Sequence, residues 1–110
     1  MAYNGELAQR IRAALSDHDV REVAMFGGLT FMVDGRMAVS ANAQGDLLVR
    51  CDPARAAELL AKPGASWPQM RGKPMSQGWV VVTAEGTDSE DDFAAWIGEA
   101  LARAVAAEND

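Results

Sequence analysis

The sequence predicts an α+β fold of two layers, in which helices cover one face of a mainly antiparallel β-sheet. Three observations lead to this prediction. A central stretch of alternating apolar residues is divided by short turn signals, its strands follow one another with no helix between them, and amphipathic helical patterns stand before and after it. Strands joined by short turns pair antiparallel, and flanking helices pack on one face of such a sheet. We therefore predict the order α-β-β-β-β-α-β-β-α in a single domain over residues 1–110.

The first predicted helix covers residues 4–16. Leu7, Ile11 and Leu15 recur at helical spacing, and Asn4 is a suitable N-cap. A polar run at 16–19 ends the helix.

Four strands follow, over residues 21–26, 29–33, 36–41 and 46–51. Asp34-Gly35 between two alternating runs predicts a tight hairpin, because a type I′ turn needs positive φ at both central residues. Met32 and Leu48 fall on the second face, which makes that face more apolar than a solvated face requires. The alternation assigns nine residues to the core face: Leu29, Phe31, Val33, Met37, Val39, Ala41, Leu47, Val49 and Cys51.

The second half begins with a helix that Asp52 caps and Pro53 opens, and that runs to about residue 62. Pro63-Gly64 stops it. A short edge strand is predicted at 69–71 and a clear strand at 79–83. The final helix covers about 90–106, with Asp88 or Ser89 as its cap. Its apolar stripe predicts a buried face made of Phe93, Trp96, Ile97, Ala100, Leu101 and Ala104.

Charge and composition restrict the partners. The net charge is −6, and residues 85–110 carry eight acidic groups and one base. Nucleic-acid affinity comes largely from neutralising phosphates, so the overall charge disfavours direct binding without excluding a local basic patch. No apolar run approaches the ~20 residues of a membrane span. A single cysteine and the lack of a secretory pattern at the N-terminus predict a cytoplasmic protein.

Two separated motifs resemble the N-terminal domain of the TfoX/Sxy family. The first is MFGGLTFMVDGRMA at 25–38, and the second is RGKPM at 71–75 followed by GWV at 78–80. The resemblance implies a two-layer domain with an antiparallel sheet, also seen in secretion chaperones, that often forms dimers. It further implies a regulator of competence or transcription without enzyme activity, one that acts with the cyclic-AMP receptor protein. This sequence ends at Asp110 without the second, helical domain of those regulators, so we expect a stand-alone domain.

Candidate catalytic and metal-binding residues are few. His18 is the only histidine and Cys51 the only cysteine. We interpret His18 as an exposed loop residue and Cys51 as a buried, inert thiol. The six methionines suit packing better than soft-metal binding, because no Met-x-x-Met pair or neighbouring histidine occurs. We therefore predict no catalytic residues, no metal and no cofactor.

The most distinctive polar feature is Arg71-Gly72-Lys73, in which two cations flank a glycine. Together with Gly27 and Gly28 it predicts an anion site, since exposed backbone N–H groups near glycines can bind anions. The alternative is structural: a rigid surface loop at 71–73 and a β-bulge at 27–28.

Two function hypotheses follow. The first is a non-enzymatic interaction domain that forms a homodimer or binds a protein partner in transcription, with Met32, Leu48 and Trp67 at its interface. The second is a small protein that binds an anionic ligand through the loop at 71–73. A pocket lined by that loop and by Gly27-Gly28 would distinguish the second from the first.

Overall fold

A computed structural model describes residues 5–25, 28–42, 45–70, 73–74 and 78–108. It confirms the α+β class. A six-stranded, wholly antiparallel sheet lies under helices that pack on one of its faces, and two further strands form a separate ribbon.

The strands of the sheet are β1 (Val20–Met25), β2 (Gly28–Val33), β3 (Arg36–Ala41), β4 (Leu47–Arg50), β5 (Ala65–Ser66) and β8 (Trp79–Val82), while β6 (Gln69–Met70) and β7 (Lys73–Pro74) form the ribbon. The spatial order of the strands in the sheet is β1-β2-β3-β4-β8-β5. The helices are α1 (Gly5–Ala14), α2 (Ala56–Leu60), α3 (Ala84–Thr87) and α4 (Glu90–Glu108), and a 3₁₀ turn (Pro53–Arg55) precedes α2.

The hairpin between β2 and β3 forms where the Asp-Gly signal predicts it. Asp34 has φ of 52° and Gly35 has φ of 83°, so both turn residues are left-handed. Two positive φ values in a row are what a two-residue hairpin loop needs to match the twist of its strands. This turn fixes the register from which the rest of the sheet follows.

A β-bulge in β3 changes which residues face the core. Phe31 pairs with Val39, but Met32 pairs with Met37, so Ala38 is an extra residue between them. Directly paired residues share a face, and Met37 therefore lies on the Met32 face and not beside Val39 as the alternation predicted. The prediction was wrong for Met37 because simple alternation assumes that no residue is inserted.

The core lies between the sheet and the helical layer. Helix α4 crosses β3 and β4, with α1 on one side of it and α2 on the other. Trp96 of α4 is only 1% exposed and is the largest fully buried side chain. The α4 stripe is confirmed for Phe93, Trp96, Ile97, Ala100 and Ala104, while Leu101 is only partly buried.

The helix ends agree with their capping signals. Asp52 Oδ1 accepts a hydrogen bond from the Ala54 N–H at 3.0 Å, and Ser89 Oγ accepts one from the Asp92 N–H at 3.0 Å. These bonds satisfy donors that the first turn of a helix leaves unpaired. Ser89, the second of the two predicted caps, is the one that forms this bond.

Three segments differ from the predictions. The helix expected from Pro53 to about Lys62 is divided into a 3₁₀ turn and the short α2. The edge strand of the large sheet is Ala65–Ser66, whereas Gln69–Met70 pairs with Lys73–Pro74 in the ribbon. Helix α3 was not expected, because four residues are too few to show a helical period.

Arg10 ties the first helix to the last. Its Nη2 donates to the Thr87 carbonyl at 2.8 Å and to Glu90 Oε1 at 3.1 Å. Its guanidinium also lies 4.2 Å from the centre of the Phe93 ring. One side chain of α1 thus contacts the end of α3 and the start of α4, which holds the helical layer together.

Gly64 should tolerate substitution poorly. It has φ of +75°, and a Cβ there would lie 2.6 Å from the Gly86 nitrogen. We expect Gly64→Ala to lower the free energy of unfolding by at least about 2 kcal/mol, through left-handed strain and this clash. Gly98→Ala is the matched control, since a Cβ there meets nothing within 4 Å on an exposed helix position. It should stabilise by up to about 1 kcal/mol. Urea unfolding measures both, and equal effects would contradict the prediction.

The Arg12–Glu22 pair should make stability depend on pH. Arg12 donates to both Glu22 oxygens at 2.7 and 2.8 Å, and this hydrogen bonding lowers the pKa of Glu22. A lowered pKa means that the contribution is present near neutral pH and is lost as pH falls through the lowered pKa. Both side chains are more than a third exposed, so we expect Glu22→Gln to cost at most about 1 kcal/mol at pH 7.

Urea unfolding of wild type and Glu22→Gln at neutral and at strongly acidic pH measures this dependence. The difference between the two proteins should disappear in acid, while the exposed loop variant Asp17→Asn serves as the control. A difference that persists unchanged in acid would show that the lost packing of Glu22, and not its charge, is responsible.

Candidate functional site

The face of the sheet opposite the helices carries a row of side chains that is apolar at both ends and has two hydroxyl residues at its centre. Paired residues share a face, and the register joins Val23 to Thr30, Thr30 to Ser40, Ser40 to Leu48 and Leu48 to Val81. The Met32–Met37 pair lies one step along the strands. We call this surface the open face and define it by Val23, Thr30, Met32, Met37, Ser40, Leu48 and Val81.

The apolar members of the open face are half-buried. This holds for Val23, Met32, Met37, Leu48 and Val81 alike. Each of five neighbouring strands thus places one half-buried apolar side chain on this face, and exposed apolar surface of this kind is typical of contact sites. Two of the three predicted interface residues, Met32 and Leu48, lie in it.

The two hydroxyl residues in the middle of the open face are buried and hydrogen-bonded. Thr30 is 2% exposed and Ser40 is 5% exposed. Thr30 Oγ1 donates to Ser40 Oγ at 3.2 Å, and Ser40 Oγ donates to the Leu29 carbonyl at 3.1 Å. Because these hydroxyls form hydrogen bonds within the sheet, a partner could cover the open face without leaving an unpaired polar group at its centre.

Cations stand at one end of the open face. Arg21 pairs with Met32 in the register and is exposed. Arg50 is half-buried on β4, and its Nη1 lies 3.5 Å from the Met37 carbonyl. An apolar centre with charged groups at the rim is the usual anatomy of a protein interface.

Trp67, the third predicted interface residue, lies in a cleft at the end of the sheet. It is 40% exposed and lines a cleft of about 260 Å³ beside α2, at the β5 edge of the sheet. The other residues of this cleft are Pro53, Ala54, Ala56, Ala57, Leu60 and Trp79. The structure therefore groups Met32 with Leu48, and the cleft at Trp67 adjoins the same face through Trp79, which pairs with Arg50.

The predicted anion site falls mostly on residues outside the described part of the chain. These are Arg71, Gly72 and Gly27, and of Lys73 only the backbone, in β7, is described. Gly28 lies in β2, where a Cβ would collide with the Ala41 carbonyl oxygen of the adjoining strand. Close approach of two backbones is thus sufficient reason for glycine at 28. The anion site at 71–73 stays a prediction.

Cys51 lies in the core. It is 0% exposed, and burial raises the pKa of its thiol, with Glu99 and Asp52 adding to the rise and Arg103 and Arg55 opposing it. His18 is exposed in the turn after α1. Within the described residues, no three His, Cys, Asp or Glu side chains cluster as metal ligands would. No helix in the same part of the chain is long and apolar enough to span a bilayer.

Sequence patterns missed three members of the open face: Val23, Met37 and Val81. Met37 was assigned to the core because nothing in Arg36-Met37-Ala38-Val39 signals the inserted residue. Val23 and Val81 were not assigned to a face, although strict alternation from Val80 and Val82 would have placed Val81 outside the core.

Comparisons with known proteins agree with this fold. The sequence profile of the TfoX N-terminal domain matches residues 10–104. No curated protein matches the chain in sequence. A solved structure that it resembles is a protein from Pseudomonas syringae, determined by the Northeast Structural Genomics Consortium. The TM-score is 0.60 at 14% identity, and the match covers 84% of this chain and 93% of that one. At this identity the likeness concerns the fold alone.

The thiol of Cys51 should be protected in the folded protein. Since the side chain is fully buried and its pKa is raised, we expect dithionitrobenzoate to react with native protein at least about a hundredfold more slowly than with protein unfolded in urea. Absorbance of the released thiolate measures the rate. Equal rates in the two states would contradict a buried position.

Proposed function

This chain belongs to the TfoX N-terminal domain family, and from that membership we propose that it is a non-enzymatic interaction domain of the regulatory type that pairs with itself through the open face. The observation that carries the proposal is the apolar row across the sheet, whose central hydroxyls are satisfied internally. Covering this surface with a matching apolar surface lowers the free energy of the complex, because apolar area is removed from water.

A second copy fits the open face better than a nucleic acid does. The net charge of −6 opposes phosphate, and the exposed acids at the start of α4 lie in the helical layer on the opposite side of the sheet. Two copies that meet through their open faces hold these acidic helices apart. A two-fold pairing brings the same patch of each copy together, as in most homodimers.

The size of the open face sets the expected affinity. Five strands, each about 4.8 Å wide, over some 15–20 Å of strand length give a footprint on the order of 400 Å² per copy. This is below the roughly 800 Å² per partner of a standard interface. We therefore expect a dimer of about micromolar strength that depends on protein concentration, which suits a regulatory contact.

In this proposal, regulation proceeds through protein contacts. The dimer presents its outer surfaces, among them the cleft at Trp67, to a partner in transcription. Catalysis has no part in it.

Leu48→Lys should abolish pairing. Leu48 lies in the middle of the open face between Ser40 and Val81, and a lysine there would put an ammonium group into the apolar contact. Sedimentation velocity from about 5 to about 500 µM should show a monomer–dimer equilibrium for wild type and a monomer for Leu48→Lys.

The matched control is Ala95→Lys, on the exposed side of α4 in the helical layer. It adds the same charge and should dimerise as wild type does, and circular dichroism checks that each variant folds. A wild-type monomer throughout this range, or equal dimerisation by Leu48→Lys, would refute the proposal.

A further inference from the structure

The cleft at Trp67 is lined by apolar side chains and two indole donors. Its described lining residues are proline, alanine, leucine and tryptophan, so none of them carries a charge. The indole N–H groups of Trp67 and Trp79 are the only polar side-chain groups among these residues, and the N–H of Trp79 has no acceptor in the described part of the chain. Tryptophan donates a hydrogen bond and accepts none. The cleft therefore suits an uncharged, apolar occupant that supplies acceptors.

The backbone holds both indole rings in place. Trp67 comes directly before Pro68, which is buried, and the residue before a proline is restricted to extended conformations. Trp79 opens β8, which pairs with β4. The 3₁₀ turn and α2 line the rest of the cleft, mostly with alanines, whose short side chains let an occupant come close to the backbone. An occupant thus meets a largely pre-organised surface, which lowers the entropy cost of binding.

We propose that this cleft binds a proline-rich segment of a partner protein in the polyproline II conformation. A chain in this conformation has no internal hydrogen bonds, so its carbonyl oxygens can accept from an indole N–H. Proline has no N–H of its own, so the segment places no unpaired donor against side chains that cannot accept. Aromatic-lined grooves bind such segments, because the preformed conformation loses little entropy. The volume of about 260 Å³ suits a few small rings better than a large ligand.

Acidic groups beside the cleft indicate what flanks the prolines. Asp52 precedes Pro53, Glu58 lies in α2, and both acids are exposed. Glu58 is 3.8 Å from Arg55 and its side chain is 71% exposed, so this contact leaves its charge largely in solvent. Complementary charges at the rim of an interface favour encounter and specificity. We therefore expect a basic residue next to the prolines of the partner segment.

This inference rests on the proposed function, since it names the chemistry of the partner that the cleft receives. Pairing of two copies and binding of a peptide are nevertheless measured separately. Sedimentation reports the first, and the signals of the cleft residues report the second. A protein that sediments as a monomer throughout would refute pairing and could still bind the peptide, whereas a dimer without peptide binding would refute this inference alone.

The test observes the indole N–H groups directly. The three tryptophans give three such signals in a ¹H–¹⁵N spectrum. Trp67→Phe and Trp79→Phe identify the two signals from the cleft, and triple-resonance assignment of wild type identifies them if either variant does not fold. The wild-type protein is titrated with a capped peptide of prolines followed by arginines. The comparison ligands are the same peptide with glycines for prolines, the same peptide with glutamates for arginines, and free indole.

We expect the signals of Trp67 and Trp79 to move saturably with the proline–arginine peptide, at half-saturation on the order of 100 µM. The Trp79 proton should move downfield as its N–H gains an acceptor. Trp96 is the internal control, because its side chain is 1% exposed in the core and its signal should stay in place. The glycine peptide should bind at least about tenfold more weakly, and the glutamate peptide about two- to fivefold more weakly.

Trp67→Ser tests the cleft itself. Trp67 is 40% exposed, so its replacement should leave the fold intact and weaken binding of the proline–arginine peptide at least about tenfold. Ala94→Ser, at an exposed position of α4, is the matched control and should bind as wild type does. Circular dichroism checks the fold of both variants.

Three results would overturn the proposal. The first is no saturable shift of the cleft signals with the proline–arginine peptide, including the case in which only indole binds. The second is equal binding of the glycine peptide, and the third is unchanged binding by Trp67→Ser.

Discussion

The packing of α4 across β3 and β4 is the contact on which the rest of the structure depends. Its apolar side buries Phe93, Trp96 and Ile97 against the central strands. The neighbouring helices are then held to α4 by long cationic side chains. Arg10 of α1 lies over the Phe93 ring, Lys62 after α2 lies 4.8 Å from the centre of the Trp96 ring, and Arg55 pairs with Glu99. All described helices are thereby drawn to one side of the sheet, and the open face is the opposite side.

Short sequence motifs predicted the turn and the helix starts, because the conformation of these segments depends mainly on residues that are close in sequence. Asp34-Gly35 determined a hairpin because the turn needs two left-handed residues, and Asp52 and Ser89 determined where helical turns begin. The inserted Ala38 carries no such signal, since its position follows from how two strands meet and not from its own conformational preference. The ribbon of β6 and β7 likewise follows from tertiary pairing, as does the choice of Ala65–Ser66 as the edge strand.

The candidate sites show the same division. Alternation predicted that Met32 and Leu48 lie on the second face of the sheet, because successive side chains of a strand point to opposite faces. It could not show that Thr30 and Ser40 are buried and bonded to each other, since that depends on the register between two strands. The Arg55–Glu99 ion pair gave no local signal either, because its two residues lie 44 positions apart in the chain.

The two edge strands of the sheet are short or charged, which affects whether strands of other molecules can add to the sheet. β5 has only two residues, and β1 exposes Arg21 and Glu22 along its length. Short or charged margins resist the strand-by-strand addition that leads to fibrils. The central strands β2, β3 and β4 lie between these outer strands and have no free edge. A concentrated solution of this protein should accordingly remain free of polymer, even where flat surfaces of neighbouring molecules come together.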